Sequence, residues 1–426
     1  MAYTIETAGA SALDGKQQSL FRHADFMKLW TGETISEFGS KIGGVAITFL
    51  AVIALHATPA QMAALAVWRT VPAIMFSLFA GVWVDRMRRR PLMIAADVAN
   101  LALLASIPIA AAVGKLRFEQ VYLVMFLTAL ADILFSVGYR AYLPTLVGRD
   151  AIAQANSILS ATEAVAEMGA FGLAGWLVQW LTASIAIGVD AVSFIFSAVF
   201  LGLIRTPESA PMRRKDSRVA SEIIEGARAI ADDSRLLAIA VSAAVGATAQ
   251  GIFGTVYALY FINELGFRPG PLGMIYATGG AASFIGAAMS SRVADKLGAE
   301  RAMALGLAAM GLGFALLTFA HGAGIVSVAL LVGQQIIGDS FGTIYFVTQM
   351  SLMQKIAPSQ ILGRVIAGVR FLGLSAGLIG SLLGAALTDA MGLRYAIASG
   401  ALLLFIAAGI ILRSEVADKE PVASPI

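Results

Sequence analysis

The chain contains no cysteine among its 426 residues and only three histidines. Disulfides, thiolate metal sites and cysteine nucleophiles are therefore excluded. The histidines, His23, His56 and His321, lie too far apart in the sequence to suggest a metal cluster. The Gly-x4-Gly-Lys-Ser/Thr phosphate-binding loop is also missing, so an ATP-driven pump is not expected. We accordingly predict no cofactor, no metal site and no enzymatic activity.

Charged residues are also scarce, at 13% of the chain, whereas hydrophobic residues make up 58%. Soluble proteins typically carry about 25% charged residues, so this chain has too little polar surface to coat a water-soluble globule. Its apolar content is far too high for a disordered protein. The apolar residues form long runs, and about 20 of them suffice for a helix to cross a bilayer. The sequence therefore predicts an all-α membrane protein that has the lipid bilayer as a partner.

Twelve apolar runs, bounded by charges or by Gly, Pro and Asn, are predicted to be transmembrane helices. Their approximate extents are 26–55, 60–83, 91–113, 119–142, 152–179, 184–204, 236–262, 271–293, 302–320, 324–350, 361–387 and 394–412. The predicted organisation is a cytoplasmic tail at 1–25, a six-helix half at 26–204, a cytoplasmic linker with a surface helix at 205–235, a second six-helix half at 236–412 and a cytoplasmic tail at 413–426.

Lys and Arg are concentrated on one side of this topology. The positive-inside rule then places both termini in the cytoplasm. The same distribution accounts for the net charge of +3 without a nucleic-acid partner.

The two predicted halves resemble each other at an offset of roughly half the chain. The motif Gly81-x3-Asp85-Arg86-x2-Arg89-Arg90 follows the second span, and Asp295-Lys296 follows the eighth span at the corresponding place. Two related six-helix halves are an architecture that transporters use. The sequence therefore predicts two pseudo-symmetric halves with a substrate path between them.

The spans, the repeat and the motif resemble the major facilitator superfamily, whose signature loop lies between its second and third helices. The segments 29–32, 92–97, 190–194 and 225–228 resemble its bacterial drug and siderophore exporter branch, which includes macrolide exporters and the enterobactin exporter. The resemblance implies a monomer in the bacterial inner membrane that exports an amphipathic small molecule, such as a drug, antibiotic or siderophore, by proton-coupled alternating access. One departure is Arg88, which stands where the family has a second glycine.

The resemblance also implies a gate on the cytoplasmic side. In the family, an acid equivalent to Asp85 contacts the start of the eleventh span, where Arg364 stands here. A carboxylate near a helix N-terminus interacts favourably with the partial positive charge of that end. The residues assigned to this gating loop are Gly81, Asp85, Arg86, Arg89, Arg90, Asp295, Lys296 and Arg364.

Charged residues inside the first span need a reason, because each costs at least about 2.5–3.5 kcal/mol at the bilayer centre. Glu33, Glu37 and Lys41 recur every four residues and therefore share one helix face. Glu37 and Lys41 can pair, since a Glu four residues before a Lys is the favourable order. The face is interpreted either as a proton or substrate site or as a structural ion pair.

The fifth span carries Glu163 and Glu167 on one face. Two ionised carboxylates at this spacing repel each other, and such a pair is a candidate to load and release a proton. Arg69 in the second span and Arg370 in the eleventh are deep cations that could neutralise the pair instead.

The fourth and tenth spans occupy matching places in the two halves and carry Asp132 and Asp339. Both are candidates for coupling or substrate contact, because the resemblance implies that these spans line a central cavity. Asp97 and Asp190 lie in the third and sixth spans, which the family places at the periphery, so structural roles are expected for them.

Other functions stay open at this point. A lysophospholipid transporter or an uncoupled facilitator would have the same spans. A transport-inactive membrane sensor or scaffold would use the 205–235 linker as a docking site.

Overall fold

The computed structural model describes residues 20–84, 87–208 and 219–417. Over these residues the chain is helical and contains no β-strand. Its helices are α1 (Ala24–Phe49), α2 (Pro59–Val84), α3 (Arg89–Ala112), α4 (Phe118–Val147), α5 (Ile152–Trp180), α6 (Ala183–Leu203), α7 (Val219–Asp232), α8 (Ser234–Leu259), α9 (Pro269–Leu297), α10 (Ala299–Leu317), α11 (Ile325–Ile356), α12 (Leu362–Met391) and α13 (Leu393–Ala417). Helices α1 and α8 continue into π-helical turns at Leu50–Ala54 and Tyr260–Glu264.

Each of the twelve predicted spans coincides with one long helix, from α1 to α6 and from α8 to α13. The helix ends differ most at α11, which continues past the predicted end at 350 to Ile356. Helix α4 also continues past its predicted end, through Pro144 to Val147, and stops before Gly148, where φ is 77°. Ten of the described helices are long and apolar enough to cross a membrane, and α2 and α5 are the long helices outside that set. The chain is therefore a multi-pass membrane protein.

Helix contacts fall into two groups. In the first, α1 packs against α5 and α6, α3 against α4 and α6, and α2 against α4. In the second, α8 packs against α12 and α13, while α10 packs against α11 and α13 and α9 against α11. Helices α5 and α9 contact each other across the groups, as do α2 and α12.

The internal repeat extends to the helix boundaries. One constant offset along the chain separates the first residues of α1, α2, α3, α5 and α6 from those of α8, α9, α10, α12 and α13, respectively. Helix α11 is the exception, because it begins a few residues before the position that this offset from the start of α4 would give. The repeat detected in the sequence is therefore a repeat of structural elements.

Two backbone positions with positive φ are also repeated at this offset. His56 follows closely after the first π turn and has φ of 51°, and its counterpart after the second π turn is Gly266, with φ of 77°. Thr182 before α6 has φ of 128°, and its counterpart before α13 is Gly392, with φ of 93°. Glycine has no Cβ and adopts positive φ without steric cost, so the first copy holds the more strained version of each turn.

The predicted linker contains α7, which contacts α8 and α12. Its buried Ile230 faces Gly368 of α12, and the Glu225 carboxylate lies 2.5 Å from the Arg364 guanidinium. Gly226 lies against the Arg364 backbone, where an added Cβ would come within 2.9 Å of the carbonyl oxygen. Helix α7 is therefore docked on the start of α12. Parts of the predicted tails and linker, at 1–19, 209–218 and 418–426, lie outside the described residues.

Candidate functional site

Two cavities lie among the helices, one in each contact group. The first has a volume of about 510 Å³ and is lined mainly by α1, α2, α3, α4 and α6. The second has a volume of about 410 Å³ and is lined by α8, α9, α10, α11 and α13. Each cavity is therefore lined by the first, second, third, fourth and sixth long helices of its own group, and Gly254 of α8 also contributes to the first.

The first cavity contains charges of both signs on a lining that mixes polar and apolar side chains. Asp132 of α4 accepts a hydrogen bond of 2.8 Å from the buried Asn100 amide of α3. Arg69 of α2 also lines the cavity, and its positive charge acts on Asp132. Asp190 of α6 completes the charged lining and accepts a hydrogen bond of 3.4 Å from the Ser40 hydroxyl of α1. The apolar part of the wall comes from side chains such as Ile47, Met62, Leu65, Leu104, Met125 and Phe194.

The second cavity presents one carboxylate, that of Asp339 in α11, among the residues that line it. Asp339 lies as far along α11 as Asp132 lies along α4. At the offset that relates the other helices, however, the counterpart of Asp339 is Ala129, so Asp132 and Asp339 lie about one helical turn apart in the repeat. The Gln349 amide and the Tyr345 hydroxyl, joined by a hydrogen bond of 3.0 Å, add polar groups to this cavity.

A third group of charges joins α1 to α5. The Lys41 ammonium lies 3.3 Å from the Glu37 carboxylate and 4.0 Å from the Glu163 carboxylate. The Trp30 indole N–H donates a hydrogen bond of 2.9 Å to the Thr162 hydroxyl and ties the same two helices. Lys41 therefore bridges two predicted acidic positions, because α1 and α5 bring their polar faces together.

Glu33 lies on the same face of α1, and no Lys or Arg of the described residues lies within ion-pair distance of it. One of its carboxylate oxygens is buried and has no hydrogen-bond partner in the part of the chain that the structure describes. The charges of Glu37 and of Asp97 act on it and are of the same sign. Its location is therefore unfavourable for an ionised carboxylate.

Glu167 and Arg370 complete the set of predicted site residues. Both are exposed when the protein is considered without lipid. Glu167 of α5 is close enough to Asp339 for their charges to repel each other, which links the α1–α5 cluster to the second cavity. The structure places Lys41 beside Glu163, and it places Arg69 in the first cavity.

Comparison with known proteins identifies the family. The sequence profile of the Major Facilitator Superfamily matches residues 29–373, and a second match covers residues 239–425. The chain belongs to this superfamily. Its members are membrane transporters rather than enzymes.

Relatives of this transporter are distant but extend over most of the chain. The uncharacterized MFS-type transporter YfiS of Bacillus subtilis is 24% identical over 94% of this chain and 96% of its own length. The multidrug efflux pump Tap of Mycolicibacterium fortuitum is 25% identical over 76% of this chain and 80% of its own length. A bacterial homologue of the iron transporter ferroportin, solved in an inward-facing state, has a TM-score of 0.70 at 18% identity, covering 93% of this chain and 99% of that one. The last similarity shows a shared fold.

The gating loop of the transporter is described in part. Gly81 lies in α2, whereas Asp85 and Arg86 lie outside the described residues. Beyond them, the backbone N–H groups of Arg89 and Arg90 donate to the Glu208 carboxylate at 2.5 and 3.3 Å. Glu208 thereby caps the start of α3, where a negative charge is favourable.

The other gating residues lie in different surroundings. The Arg90 guanidinium binds the carbonyl oxygens of Leu201, at 2.7 Å, and Gly202 at the end of α6. Asp295 and Lys296 are in the last turn of α9, at the surface. Arg364 at the start of α12 pairs with Glu225 of α7, as described above. The described part of the loop therefore contacts its own contact group, and α7 covers the predicted docking point on α12.

Sequence reasoning missed three polar groups that the structure brings to these sites. Asn100 holds Asp132, Glu208 caps α3, and Glu225 binds Arg364. Asn100 lies about one helical turn before Leu104, which also lines the first cavity. Helical spacing could therefore have placed both residues on one face of α3. Glu208 and Glu225 come from the linker, and their partners cannot be read from spacing along the chain.

Proposed function

We propose that α1–α6 and α8–α13 are twelve transmembrane spans in two six-helix halves, joined by a cytoplasmic linker that contains α7. The two groups of helix contacts and the constant offset between the helix starts support this arrangement. Helices α2 and α5, with 26 and 29 residues, are also longer than the roughly 20 residues needed to cross a bilayer. The distribution of Lys and Arg favours an inner-membrane protein with both termini in the cytoplasm.

The transporter works by alternating access between these halves. Close contacts between α5 and α9 lie at the end where α5 finishes and α9 begins: the backbones at Gly175 and Gly273 nearly touch, and Gln179 accepts a hydrogen bond of 2.9 Å from the Gly270 N–H. In the proposed orientation this is the outer end. The structure then corresponds to a state in which this contact closes the outer end.

The activity that fits the site best is proton-coupled export of an amphipathic small molecule, such as a drug, an antibiotic or a siderophore. The observation that carries this proposal is that Asp132 and Asp339, on the fourth long helix of each group, each line a cavity whose wall also contains apolar side chains. Apolar walls bind the apolar part of a substrate, and a few precisely positioned polar groups orient it. The multidrug efflux pump among the relatives supports the direction of transport.

Proton coupling requires carboxylates whose charge changes between the two states. Protonation removes a buried negative charge and shifts the equilibrium toward the state that buries the neutral form better. The candidates are Glu33, Glu37, Asp132, Glu163, Glu167 and Asp339. Lys41, Arg69 and Arg370 are the cations that counterbalance them. The transporter acts as a monomer with the bilayer, protons and the small molecule as its partners, and it needs no cofactor or nucleic acid.

The gating loop operates at the cytoplasmic end. In the outward-facing state, the loop that follows Gly81 and contains Asp85 and Arg86 contacts the start of α12. Helix α7 holds Arg364 in the state described here. Closure on the cytoplasmic side therefore requires Arg364 to exchange its contact with Glu225 for one with the loop.

The test uses the full-length protein in proteoliposomes that contain a pH-sensitive dye. A pH gradient is imposed and four probes are added in turn: a lipophilic cation, a macrolide, a catechol siderophore and a lysolipid. We expect proton movement that depends on one probe and is lost in Asp132→Asn and in Asp339→Asn. Gly333→Ala, whose added methyl meets no atom within 4 Å, serves as the matched control.

Each other outcome contradicts a defined part of the proposal. Probe flux without proton movement contradicts coupling and identifies a facilitator or a lipid transporter. Binding of a probe without flux contradicts transport and identifies a sensor or scaffold. Retained proton movement in both Asp→Asn variants removes the paired carboxylates from the coupling scheme.

A further inference from the structure

Asp190 reaches the first cavity through a gap in α1. Its side chain starts on α6, and the residue is only 4% exposed, yet it lines the cavity beside Ser40. The gap is made by glycines, since a Cβ at Gly43 would overlap the Asp190 carboxylate and one at Gly39 would come within 2.6 Å of the Ser193 Cβ. The two glycines of α1 therefore leave space that the carboxylate occupies.

In the second half, the corresponding helices α8 and α13 pack against each other without a charged side chain at this place. The repeat counterpart of Gly43 is Phe253 of α8, and the counterpart of Asp190 is Gly400 of α13. Phe253 fills the space above Gly400, where an added Cβ would come within 2.8 Å of its ring. The large and small partners are exchanged between the halves. An apolar side chain is therefore sufficient to pack this crossing, and packing alone does not require a carboxylate at position 190.

The electrostatic surroundings do not explain Asp190 as half of an ion pair. No Lys or Arg lies within ion-pair distance of it in the part of the chain that the structure describes. The charge of Asp132 acts on it from α4, and Arg69 faces the same cavity from α2. Three helices pack against α6, namely α1, α3 and α5.

Among the described residues, these three helices place no Lys or Arg within ion-pair distance of Asp190, and Lys28, Arg89 and Arg90 lie near the starts of α1 and α3. Lys41 of α1 is engaged with Glu37 of the same helix and with Glu163 of α5. Asp97 of α3 and Glu167 of α5 are themselves acids. The groups nearest to Asp190 on the neighbouring helices are therefore either paired or of its own sign.

A buried acceptor without a partner in the described part of the chain lies in the same region. Asn100, which lines the cavity, donates its N–H to Asp132, but its side-chain oxygen is buried and has no partner among the described residues. An acceptor of this kind suits a hydrogen-bond donor that arrives transiently. The cavity thus combines two carboxylates and a free carbonyl around space large enough for a ligand.

We propose that Asp190 is a proton-exchanging carboxylate of the first cavity, held there by the glycine gap in α1. In this role the O–H bond forms at a carboxylate oxygen when the cavity delivers a proton and breaks when the proton returns to it. Gly39 and Gly43 are positioning residues that act through Asp190. The inference rests on the proposed function, because an exchangeable proton is useful only to a coupled transporter.

The experiment measures protonation directly and needs no substrate. Infrared difference spectra between acidic and alkaline pH are recorded on the full-length protein in lipid, where a protonated carboxyl gives its own C=O band. We expect Asp190→Asn to remove one component of this band. Gly43→Ala should shift or remove the same component because the methyl displaces the carboxylate, whereas Gly44→Ala, which meets no atom within 4 Å, should retain it.

Relocating the carboxylate provides the decisive variant. The Ser40 hydroxyl lies 3.4 Å from an Asp190 oxygen, so an acid at position 40 can reach the same place. The double variant Ser40→Asp with Asp190→Asn should regain the band and the proton movement that Asp190→Asn loses. Asp97→Asn, which removes another buried acid from a neighbouring helix outside the cavity lining, should retain the component assigned to Asp190.

Two results would overturn the inference. One is an unchanged carboxyl band in Asp190→Asn, and the other is a double variant that folds but regains neither signal. If Asp190→Asn fails to fold, Gly43→Ala against Gly44→Ala decides the question. A silent transport assay together with the expected infrared differences would contradict the proposed function and leave the assignment of Asp190 in place.

Discussion

Replacing Gly273 by alanine should open the contact between α5 and α9. The added Cβ would come within 2.7 Å of the Phe171 carbonyl oxygen and 2.8 Å of the Gly175 Cα. All of these neighbours are backbone atoms, so no side-chain rotation can relieve the overlap. The two helices must therefore move apart at this end in the variant.

The magnitude follows from the cost of overpacking. Inserting a methyl into a tightly packed contact typically costs about 1–3 kcal/mol. The cost falls only on the state in which α5 and α9 touch, so the ratio of the two states should change by roughly 5- to 150-fold toward the open one. Gly333→Ala is the matched control, because it makes the same change of helix propensity at a place where no atom lies within 4 Å.

Thiol labelling measures this shift cleanly because the protein has no cysteine. Thr70→Cys places a single thiol in the first cavity. A membrane-impermeant maleimide is then added from the side on which α5 ends and α9 begins. We expect at least a roughly fivefold faster labelling in Gly273→Ala than in the parent or in the Gly333→Ala control, in line with the lower limit above. Equal labelling rates would refute the conclusion that this glycine contact closes the outer end.

Three further changes test other parts of the structure. Gly226→Ala should release α7 from α12, since the added methyl would come within 2.9 Å of the α12 backbone. Release should make tryptic cleavage of the linker faster, and unchanged cleavage would contradict the docking of α7. Gly266→Ala should lower the free energy of unfolding by about 1–2 kcal/mol because of its positive φ, whereas His56→Gly should raise it by up to about 1 kcal/mol. Thermal unfolding measures both, and shifts of equal sign would argue against backbone strain. Lys41→Gln should reduce the yield of folded protein, because it leaves the Glu37 and Glu163 carboxylates unpaired. Adding Glu37→Gln should restore part of that yield, and a further decrease in the double variant would contradict the pairing.

The positions of the helices could be predicted from the sequence because the bilayer leaves few alternatives. Backbone groups must be satisfied internally in lipid, so a long apolar run becomes a helix. Each predicted run coincides with a helix for this reason. The end of α4 was less predictable, because Pro144 suggests a stop while the residues before it still supply helical hydrogen bonds. The twelve-span topology and its orientation stay predictions, which the labelling experiment can test.

The candidate site was predictable only where helical spacing or the repeat carried the signal. The matching places of the helices that carry Asp132 and Asp339, and the pairing of Glu37 with Lys41, both follow from such patterns. The approach of Lys41 to Glu163 and the passage of Asp190 across α1 depend on how neighbouring helices cross. A single sequence contains no direct record of these crossings.

The two π turns bear on the ancestry of the chain. A π turn holds one residue more than an α turn, and it is rare, so two of them at equivalent places indicate a common origin. Both copies occur at the ends of α1 and α8, at the same offset as the helices themselves. The extra residue is therefore a feature that the two copies share, as they share the helix starts. Where α1 crosses α6 and α8 crosses α13 the two copies differ instead, because Gly43 faces Asp190 at the first crossing and Phe253 faces Gly400 at the second.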